Sequence, residues 1–229
     1  MTTYYCPCCD RHDIEFLDWS SHYQNVVCSG CKTHPRHRAF MLYLRQHLVF
    51  EQTRLWLLHF APHTAVRKYL AALPQLNYLT ADLTNSFAGQ TVDLQIDVTQ
   101  IPFRENMFDV VLCSHVLEHV PQDMLAMQEL FRILKPGGWA FLAVPINLNA
   151  KTLEDPTITS PEERRRYFGQ ANHVRYYGYD YQTRLAKVGF QVREITVQEL
   201  FPDLSPEQRA SYGLRDREVL HFGTKPLSI

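Results

Sequence analysis

The chain has 229 residues, of which 45% are hydrophobic and 21% are charged, a composition typical of globular proteins. The 23 Lys and Arg residues nearly balance the 24 Asp and Glu residues, and the net charge of −1 excludes a global electrostatic attraction to nucleic acid or to an anionic membrane. The sequence has neither an apolar run long enough to span a bilayer nor a signal-peptide pattern at its start, so we expect a cytoplasmic protein without a membrane partner.

Cysteine spacing predicts a small metal domain at the start of the chain. Cys6 and Cys9 form one C-x2-C pair, Cys28 and Cys31 form a second, and 18 residues separate the pairs. This spacing is typical of a zinc ribbon, and an arm this short needs a metal to supply its folding free energy. We therefore predict a zinc ribbon over residues 1–37, with structural Zn²⁺ held by these four cysteines and no open position for catalysis. Two alternatives remain: Cys8 replaces one ligand, or the thiols carry no metal.

A basic patch follows the second cysteine pair. It consists of Lys32, His34, Arg36, His37 and Arg38. One interpretation is a solvated face, and the other is a contact for phosphate or for an acidic partner.

The pattern changes near residue 38, where we place a domain boundary. Residues 38–51 have apolar residues at helical spacing and are predicted to form a linking helix. Beyond it, predicted strands alternate with predicted helices. The strands are Leu55–Phe60, Tyr78–Thr80, Leu94–Ile96, Phe108–Cys113, Trp139–Val144, Gln191–Val197 and Val219–Gly223. The helices are Pro62–Ala72, Gln122–Leu134 and Tyr179–Val188.

This alternation predicts an α/β fold, with a mostly parallel sheet covered by helices on both faces. Ligands of such sheets bind at the carboxyl ends of the strands. Residues 147–177 show no clear element except a short polar helix at Pro161–Tyr167, and we interpret this insertion as a substrate lid.

Two segments carry a family resemblance. IDVTQIPFRENMFDVVLCSHVLEHV (residues 96–120) and LFRILKPGGWAFLAVP (residues 130–145) resemble class I S-adenosylmethionine-dependent methyltransferases of the type 11-like group, and the similarity extends over roughly residues 55–225. The start CPCC…CSGC followed by HPRHR is similar to a bacterial subgroup with an N-terminal ribbon. The resemblance implies a Rossmann-like, seven-stranded sheet on residues 38–229 and S-adenosylmethionine as the cofactor.

The resemblance also assigns cofactor contacts. Asp82 ends the second strand and would accept the ribose hydroxyls, and Asp97 would accept the adenine amino group. A surface turn or a helix cap is the alternative for each aspartate. The first loop, LLHFAPHTAV (residues 57–66), has no glycine, so Ala61 must allow close approach of the backbone and Pro62 would begin a helix. The full predicted set is Phe60, Ala61, Pro62, Asp82, Leu83, Asp97, Val98, Ser114 and His115.

The catalytic candidates are residues that can move a proton or orient an acceptor. They are His115, His119, His173 and Tyr177. Arg175 and Tyr176 are predicted to bind the acceptor, Arg175 through an anionic group; the alternative is a packed loop in which Arg175 pairs with an acid. The run HVLEH (residues 115–119) also matches a metalloprotease pattern, but here it follows a strand directly, which favours the methyltransferase interpretation.

The predicted function is methyl transfer to an O or N nucleophile of an unidentified, small-molecule acceptor. Two alternatives remain open. One is an RNA or protein methyltransferase that uses the ribbon for recognition. The other is a noncatalytic zinc-ribbon adaptor whose first loop has lost the cofactor.

Overall fold

The fold is described from a computed structural model, which covers residues 4–21, 23–47, 54–87 and 89–227. Its largest element is a seven-stranded sheet in the order β15-β16-β11-β10-β5-β6-β9. These strands are β5 (Leu55–Phe60), β6 (Leu76–Asp82), β9 (Leu94–Gln95), β10 (Phe108–Cys113), β11 (Leu134–Phe141), β15 (Gln191–Thr196) and β16 (Val219–Thr224). The predicted Rossmann-like, mostly parallel sheet is confirmed.

The central strands are parallel and the later edge reverses direction. β10 pairs in parallel with β5 on one side and with β11 on the other, and β6 joins β5 to β9 in parallel. β16 is antiparallel to β11. Since β10 is buried along nearly its whole length, its continuous apolar sequence is that of a strand covered on both faces.

The KPGG turn (residues 135–138) lies within β11. Phe108 pairs with Leu134 but Val110 pairs with Trp139, so residues 135–138 bulge out of the register. A Cβ at Gly138 would lie 2.9 Å from the Asp109 carbonyl oxygen, which only glycine avoids.

The helices follow the sequence pattern with small shifts at their ends. They are α1 (Pro35–His47), α2 (Thr64–Ala71), α3 (Asp123–Ile133), α4 (Pro161–Phe168), α5 (Tyr181–Val188), α6 (Val197–Leu200) and α7 (Pro206–Ser211). α1 starts three residues before the predicted linking helix, and the last part of that prediction, residues 48–51, lies outside the described residues. α6 and α7 were not predicted; both are short, and each begins with a capping box.

The insertion is more ordered than its sequence suggests. β12 (Ile146–Asn147), β13 (Leu153–Glu154) and β14 (Arg175–Gly178) form a three-stranded sheet in the order β12-β14-β13. Because these strands have only two to four residues, they leave little periodicity in the sequence. A Cβ at Gly178 would collide with the Ala150 carbonyl oxygen, so glycine is required there. The lid function of this segment stays a prediction.

The ribbon consists of two hairpins. β1 (Tyr5–Cys6) pairs with β2 (Arg11–His12), and β3 (Phe16–Leu17) pairs with β4 (Val27–Cys28), both antiparallel. A further small hairpin joins β7 (Ser86–Phe87) to β8 (Gln90–Thr91).

Packing divides the chain into two compact units. The first comprises Met1–Thr53, His63–Gln75 and Ile195–Leu220, and the second comprises Arg54–Pro62, Leu76–Glu194 and His221–Ile229. The domain boundary expected near residue 38 stays a prediction. Among the described residues, no helix has both the length and the apolar character needed to cross a bilayer.

Candidate functional site

The four predicted zinc ligands come together. The sulfur atoms of Cys6, Cys9, Cys28 and Cys31 all lie within 4.8 Å of one another. Cys6 Sγ is 3.6 Å from Cys31 Sγ, and Cys9 Sγ is 3.8 Å from Cys28 Sγ. Tetrahedral Zn²⁺ with bonds of about 2.3 Å separates its thiolates by about 3.8 Å, and the two sulfur–sulfur distances of 3.6 and 3.8 Å match that spacing.

Cys8 lies outside the set. Its thiol donates to the His37 carbonyl oxygen at 3.4 Å, and Cys8 is absent from the cluster of potential ligands. The geometry therefore favours the four-cysteine alternative over one in which Cys8 replaces a ligand. Burial raises the pKa of the Cys9 thiol to about 11, so a metal ion that binds this thiolate must displace its proton.

Two matching turns present the cysteine pairs. Asp10 follows Cys9 and Lys32 follows Cys31, and both have left-handed φ angles of 57° and 59°. The Asp10 N–H donates to the Cys6 carbonyl oxygen and the Lys32 N–H donates to that of Cys28, each at 2.9 Å. Each turn thus brings both sulfurs of its pair to one side.

Arg38 corrects the prediction of a basic surface patch. Its side chain is buried and donates to the carbonyl oxygens of Val26, Thr33, Tyr212 and Gly213 at 2.6–3.1 Å. A guanidinium that satisfies four carbonyl groups is a packing element of the first unit, and it is not available to phosphate or to a partner.

The first loop of the predicted cofactor site adopts a strained conformation. Ala61 has a left-handed φ of 47°, a region that non-glycine residues rarely enter. Its N–H donates to the Ala81 carbonyl oxygen at 2.9 Å, which fixes the loop at the carboxyl end of β5. The chain therefore makes, with alanine, the backbone turn for which the family pattern normally uses glycine. The flanking side chains of Phe60 and Pro62 are buried. These two residues can therefore contact a ligand only through their backbone atoms.

The two predicted cofactor aspartates have the same local geometry. Oδ1 of Asp82 accepts from the N–H and hydroxyl of Thr84, and Oδ1 of Asp97 accepts from those of Thr99, at 2.7–3.1 Å. Both aspartates stand at carboxyl ends, since β6 pairs with β9 through Asp82 and Gln95. The same turn occurs at Asp155 in the insertion, so the turn alone does not define a cofactor site.

Other predicted cofactor residues lie beside these aspartates along the chain. Leu83 is 65% exposed, an unusual exposure for leucine, whereas Val98 is buried in the core. An exposed apolar side chain next to Asp82 is suited to cover one face of an adenine ring.

Ser114 and His115 follow directly after β10, and His115 is a second residue with a strained backbone. His115 has a left-handed φ of 56°, and its N–H donates to the Ala143 carbonyl oxygen at 2.8 Å. The helical turn that follows covers only Leu117–His119, so the two histidines of HVLEH do not share an α-helix. The metalloprotease interpretation lacks the helix that it requires.

Glu118 is a buried carboxylate at this edge. Its side chain is 1% exposed, and neither oxygen has a hydrogen-bond partner in the described part of the chain. His115 Nδ1 lies 3.1 Å from Oε1, within ion-pair distance. Burial by itself raises the pKa of a carboxyl group, but the neighbouring His115 and His119 outweigh it and lower the pKa of Glu118.

Two catalytic candidates, His119 and His173, meet next to Glu118. Their rings are 4.6 Å apart in an edge-to-face arrangement. His119 Nδ1 faces the Asn172 carbonyl oxygen at 3.2 Å, and His173 Nδ1 faces that of Phe168 at 2.9 Å. Burial lowers the pKa of His173, which favours a neutral imidazole at pH 7.

The structure gives Tyr177 a different place from the one predicted. Its side chain is fully buried, and its hydroxyl donates to Asp123 Oδ2 at 2.8 Å. Burial raises the pKa of this phenol well above its usual range. Because the hydroxyl is enclosed in the core, it cannot orient an acceptor.

Arg175 is likewise a packing residue. It is buried, pairs with Glu154 at 3.0 Å and donates to the carbonyl oxygens of Leu117, Val120 and Pro121. This corrects the predicted contact with an anionic acceptor group and matches the alternative in which Arg175 pairs with an acid. Tyr176 is half-buried on β14 opposite Leu153, and its acceptor contact stays a prediction.

Sequence reasoning missed two parts of this edge. One is Asp123, which is buried between Tyr177 and Arg184. The other is the unpartnered state of Glu118, which depends on how the insertion folds back. The adjacent Glu118 and His119 in the LEH run were the sequence signal that could have drawn attention to this carboxylate.

Comparison with known proteins gives the following matches. Residues 65–142 match the family model described as a methyltransferase domain. Over 74 residues, 31% of this chain, the sequence is 39% identical to the ubiquinone biosynthesis O-methyltransferase of Paraburkholderia xenovorans (strain LB400). The match covers 32% of that protein, so the chain spans about a third of the length of this curated relative.

Two solved structures have a similar fold. One is a chain from the complex between the Trm112 methyltransferase activator of Haloferax volcanii and a methyltransferase, with a TM-score of 0.57 and 17% identity over 83% of this chain and 91% of that one. The other is the YcgJ protein from Bacillus subtilis, with a TM-score of 0.54 and 17% identity over 84% of this chain and all of that one. At this identity, these likenesses show the fold alone.

Proposed function

Because the chain carries a class I, S-adenosylmethionine-dependent methyltransferase domain, we propose that it transfers a methyl group to an oxygen or nitrogen nucleophile of a small-molecule acceptor. The observation that carries this proposal is the arrangement of Ala61, Asp82, Asp97 and Ser114–His115, which all stand where neighbouring parallel strands end. Binding at that edge is the rule for open α/β sheets.

The residues at this edge fit the cofactor. A nucleoside offers hydroxyl and amino donors, and Asp82 and Asp97 are carboxylate acceptors at adjacent strand ends. The left-handed turn at Ala61 lets the backbone approach the ligand closely. When bound, S-adenosylmethionine supplies a methyl group already activated on a sulfonium, so the protein mainly positions the nucleophile.

We assign the proton acceptor to His115. A carboxylate behind an imidazole orients the ring and raises its basicity, and Glu118 Oε1 stands 3.1 Å from His115 Nδ1. With 25% of its side chain exposed, His115 can take a proton from an acceptor hydroxyl or ammonium group. Tyr177 and Arg175 act indirectly, since they hold the turn that carries these two residues.

A small acceptor is favoured by two observations. The chain has a net charge of −1, and Arg38, within the one basic patch that the sequence suggested, is buried. The similar Paraburkholderia protein is named for O-methylation in ubiquinone biosynthesis, which is consistent with a small aromatic or alcohol acceptor. Activity that depends steeply on salt would instead indicate RNA.

We further propose that Cys6, Cys9, Cys28 and Cys31 bind structural Zn²⁺. Their spacing fits a tetrahedral ion, and four protein ligands leave no position for a substrate.

Calorimetric titration with S-adenosylhomocysteine tests the cofactor assignment. We expect one-to-one binding at micromolar concentration, and we expect Asp82→Ala to weaken it by about 1–3 kcal/mol through lost hydrogen bonds to the ribose. Asp155→Ala is the matched control, because it removes the same threonine-capped turn from the insertion, and it should bind like the wild type. Absence of binding by the wild-type protein at millimolar ligand would favour the adaptor alternative.

A further inference from the structure

We propose that Glu118, His119 and His173 form a second metal site, which binds a divalent transition ion such as Zn²⁺. One ligand atom from each residue lies within 4.8 Å of those of the other two. The site is separate from the ribbon cysteines and belongs wholly to the second unit.

The unpartnered carboxylate is the first argument. Glu118 is buried, yet neither oxygen has a hydrogen-bond partner among the described residues. A buried carboxylate without partners is costly, and proteins normally compensate for it with a cation or with hydrogen bonds. His115 Nδ1 lies at an ion-pair distance from Oε1, whereas Oε2 has no hydrogen-bond partner among the described residues.

The histidine tautomers are the second argument. A carbonyl oxygen can only accept, so the contacts of His119 Nδ1 with Asn172 and of His173 Nδ1 with Phe168 place the ring proton on Nδ1 in both residues. Nε2 of each ring then carries the lone pair. Histidines that bind metals are commonly held by this second hydrogen bond, which fixes the tautomer and the ring orientation.

The donor set indicates which ion fits. Two imidazoles and one carboxylate suit Zn²⁺ and similar transition ions, whereas Mg²⁺ and Ca²⁺ prefer oxygen ligands. Three protein ligands leave at least one position open, as in catalytic sites. The insertion brings His173 to this position, since the Val174 N–H donates to the Glu118 carbonyl oxygen at 2.9 Å.

An oxygen atom of the methyl acceptor is the ligand best suited to the open position. A bound divalent ion stabilises the deprotonated form of a hydroxyl group, and the site follows directly after Ser114 and His115 at the end of β10. This assignment of the open position rests on the proposed methyl transfer, whereas metal binding does not.

Metal stoichiometry tests the site. After dialysis of the purified chain against micromolar ZnCl₂, we expect two equivalents of zinc by mass spectrometry, one in the ribbon and one at Glu118. Glu118→Gln keeps the volume and removes the charge, so the chain should fold and hold one equivalent. Glu162→Gln, on the exposed face of α4, is the matched control and should retain two.

A second variant and a second measurement protect the test against misfolding. His119→Asn should also hold one equivalent, and excess ZnCl₂ should raise the Tm of the wild-type protein but not that of Glu118→Gln. Two equivalents in Glu118→Gln would overturn the site. So would a single equivalent in the wild type that Cys28→Ser removes and Glu118→Gln retains.

The same samples separate this proposal from the proposed function. Titration with S-adenosylhomocysteine reports the cofactor site without metal or turnover. Binding of the ligand with only one zinc would overturn the metal site and leave the transferase assignment intact. Two equivalents of zinc without binding of S-adenosylhomocysteine would support the metal site and overturn the transferase assignment.

Discussion

The ribbon and the sheet obtain their stability from different sources. Among the described residues, the apolar cluster of the ribbon contains three buried side chains, Cys6, Phe16 and Cys28, two of which are predicted metal ligands. The cluster of the sheet contains twenty-two. Burial of apolar area can therefore hold the sheet, whereas in the ribbon the proposed zinc site would supply the missing free energy. On that proposal, one chain combines a region that folds by its apolar core with a region that folds by metal binding.

Removing the metal should separate the two regions most clearly. We expect Cys28→Ser to abolish ribbon zinc and to cost most of the roughly 10–16 kcal/mol that structural zinc supplies. In hydrogen exchange measured by mass spectrometry, amides of residues 4–34 should lose protection while those of β10 keep it. Cys8→Ser is the control and should keep the zinc, because Cys8 lies outside the cluster. Equal loss of protection in both regions would contradict the comparison.

Arg38 shows that the first unit does not depend on zinc alone. We expect Arg38→Met to destabilise the chain by about 3–5 kcal/mol, since it removes the buried guanidinium that donates to the carbonyl groups of Val26, Thr33, Tyr212 and Gly213; Thr33 keeps the Cys28 N–H as a donor. Urea unfolding of the zinc-loaded protein measures this loss. Arg11→Met, at an exposed position of the ribbon, should change stability by less than about 0.5 kcal/mol. If Arg38→Met lost no more free energy of unfolding than the Arg11→Met control, metal binding alone would suffice to stabilise the first unit.

The smallest effect is expected at Ala61 in the sheet region. Ala61→Gly removes a left-handed strain of about 1–2 kcal/mol but adds about 0.5–1 kcal/mol of backbone entropy in the unfolded state. We therefore expect a gain of about 0–1.5 kcal/mol in the free energy of unfolding, measured with heat or urea, and unchanged binding of S-adenosylhomocysteine. Ala61→Val places a β-branched residue in the same conformation and should lose both stability and binding. Wild-type behaviour of Ala61→Val would show that the turn does not form the cofactor loop.

The sequence predicted what depends on local pattern. The apolar run in Phe108–Cys113 identifies a buried strand because both of its faces are covered. The C-x2-C pairs predict the ribbon because two cysteines three positions apart can present both sulfurs to one ion. The sequence predicted close approach of the backbone at Ala61 but not its left-handed φ, and the cofactor contact of this loop stays a prediction.

The errors concern long side chains whose partners are distant in sequence. Arg38 was expected at the surface because arginine is usually exposed, but its acceptors include Tyr212 and Gly213. Arg175 and Tyr177 were assigned to the substrate because arginine and tyrosine often line sites, yet they bind carbonyl groups and a carboxylate that only the folded insertion brings near. No periodicity records such pairings. For the same reason, sequence analysis did not predict that Glu118 and His173 lie close together.

The hydrogen bonds of Arg38 must form in a fixed order while the chain is being synthesised. The carbonyl groups of Val26 and Thr33 leave the ribosome together with Arg38, whereas those of Tyr212 and Gly213 emerge about 175 residues later. At elongation rates of about 5–20 residues per second, that interval lasts about 9–35 s. During it, the Arg38 guanidinium has only the acceptors of Val26 and Thr33 within reach. Residues translated much later, Tyr212 and Gly213, therefore complete the hydrogen bonds of a side chain near the start of the chain.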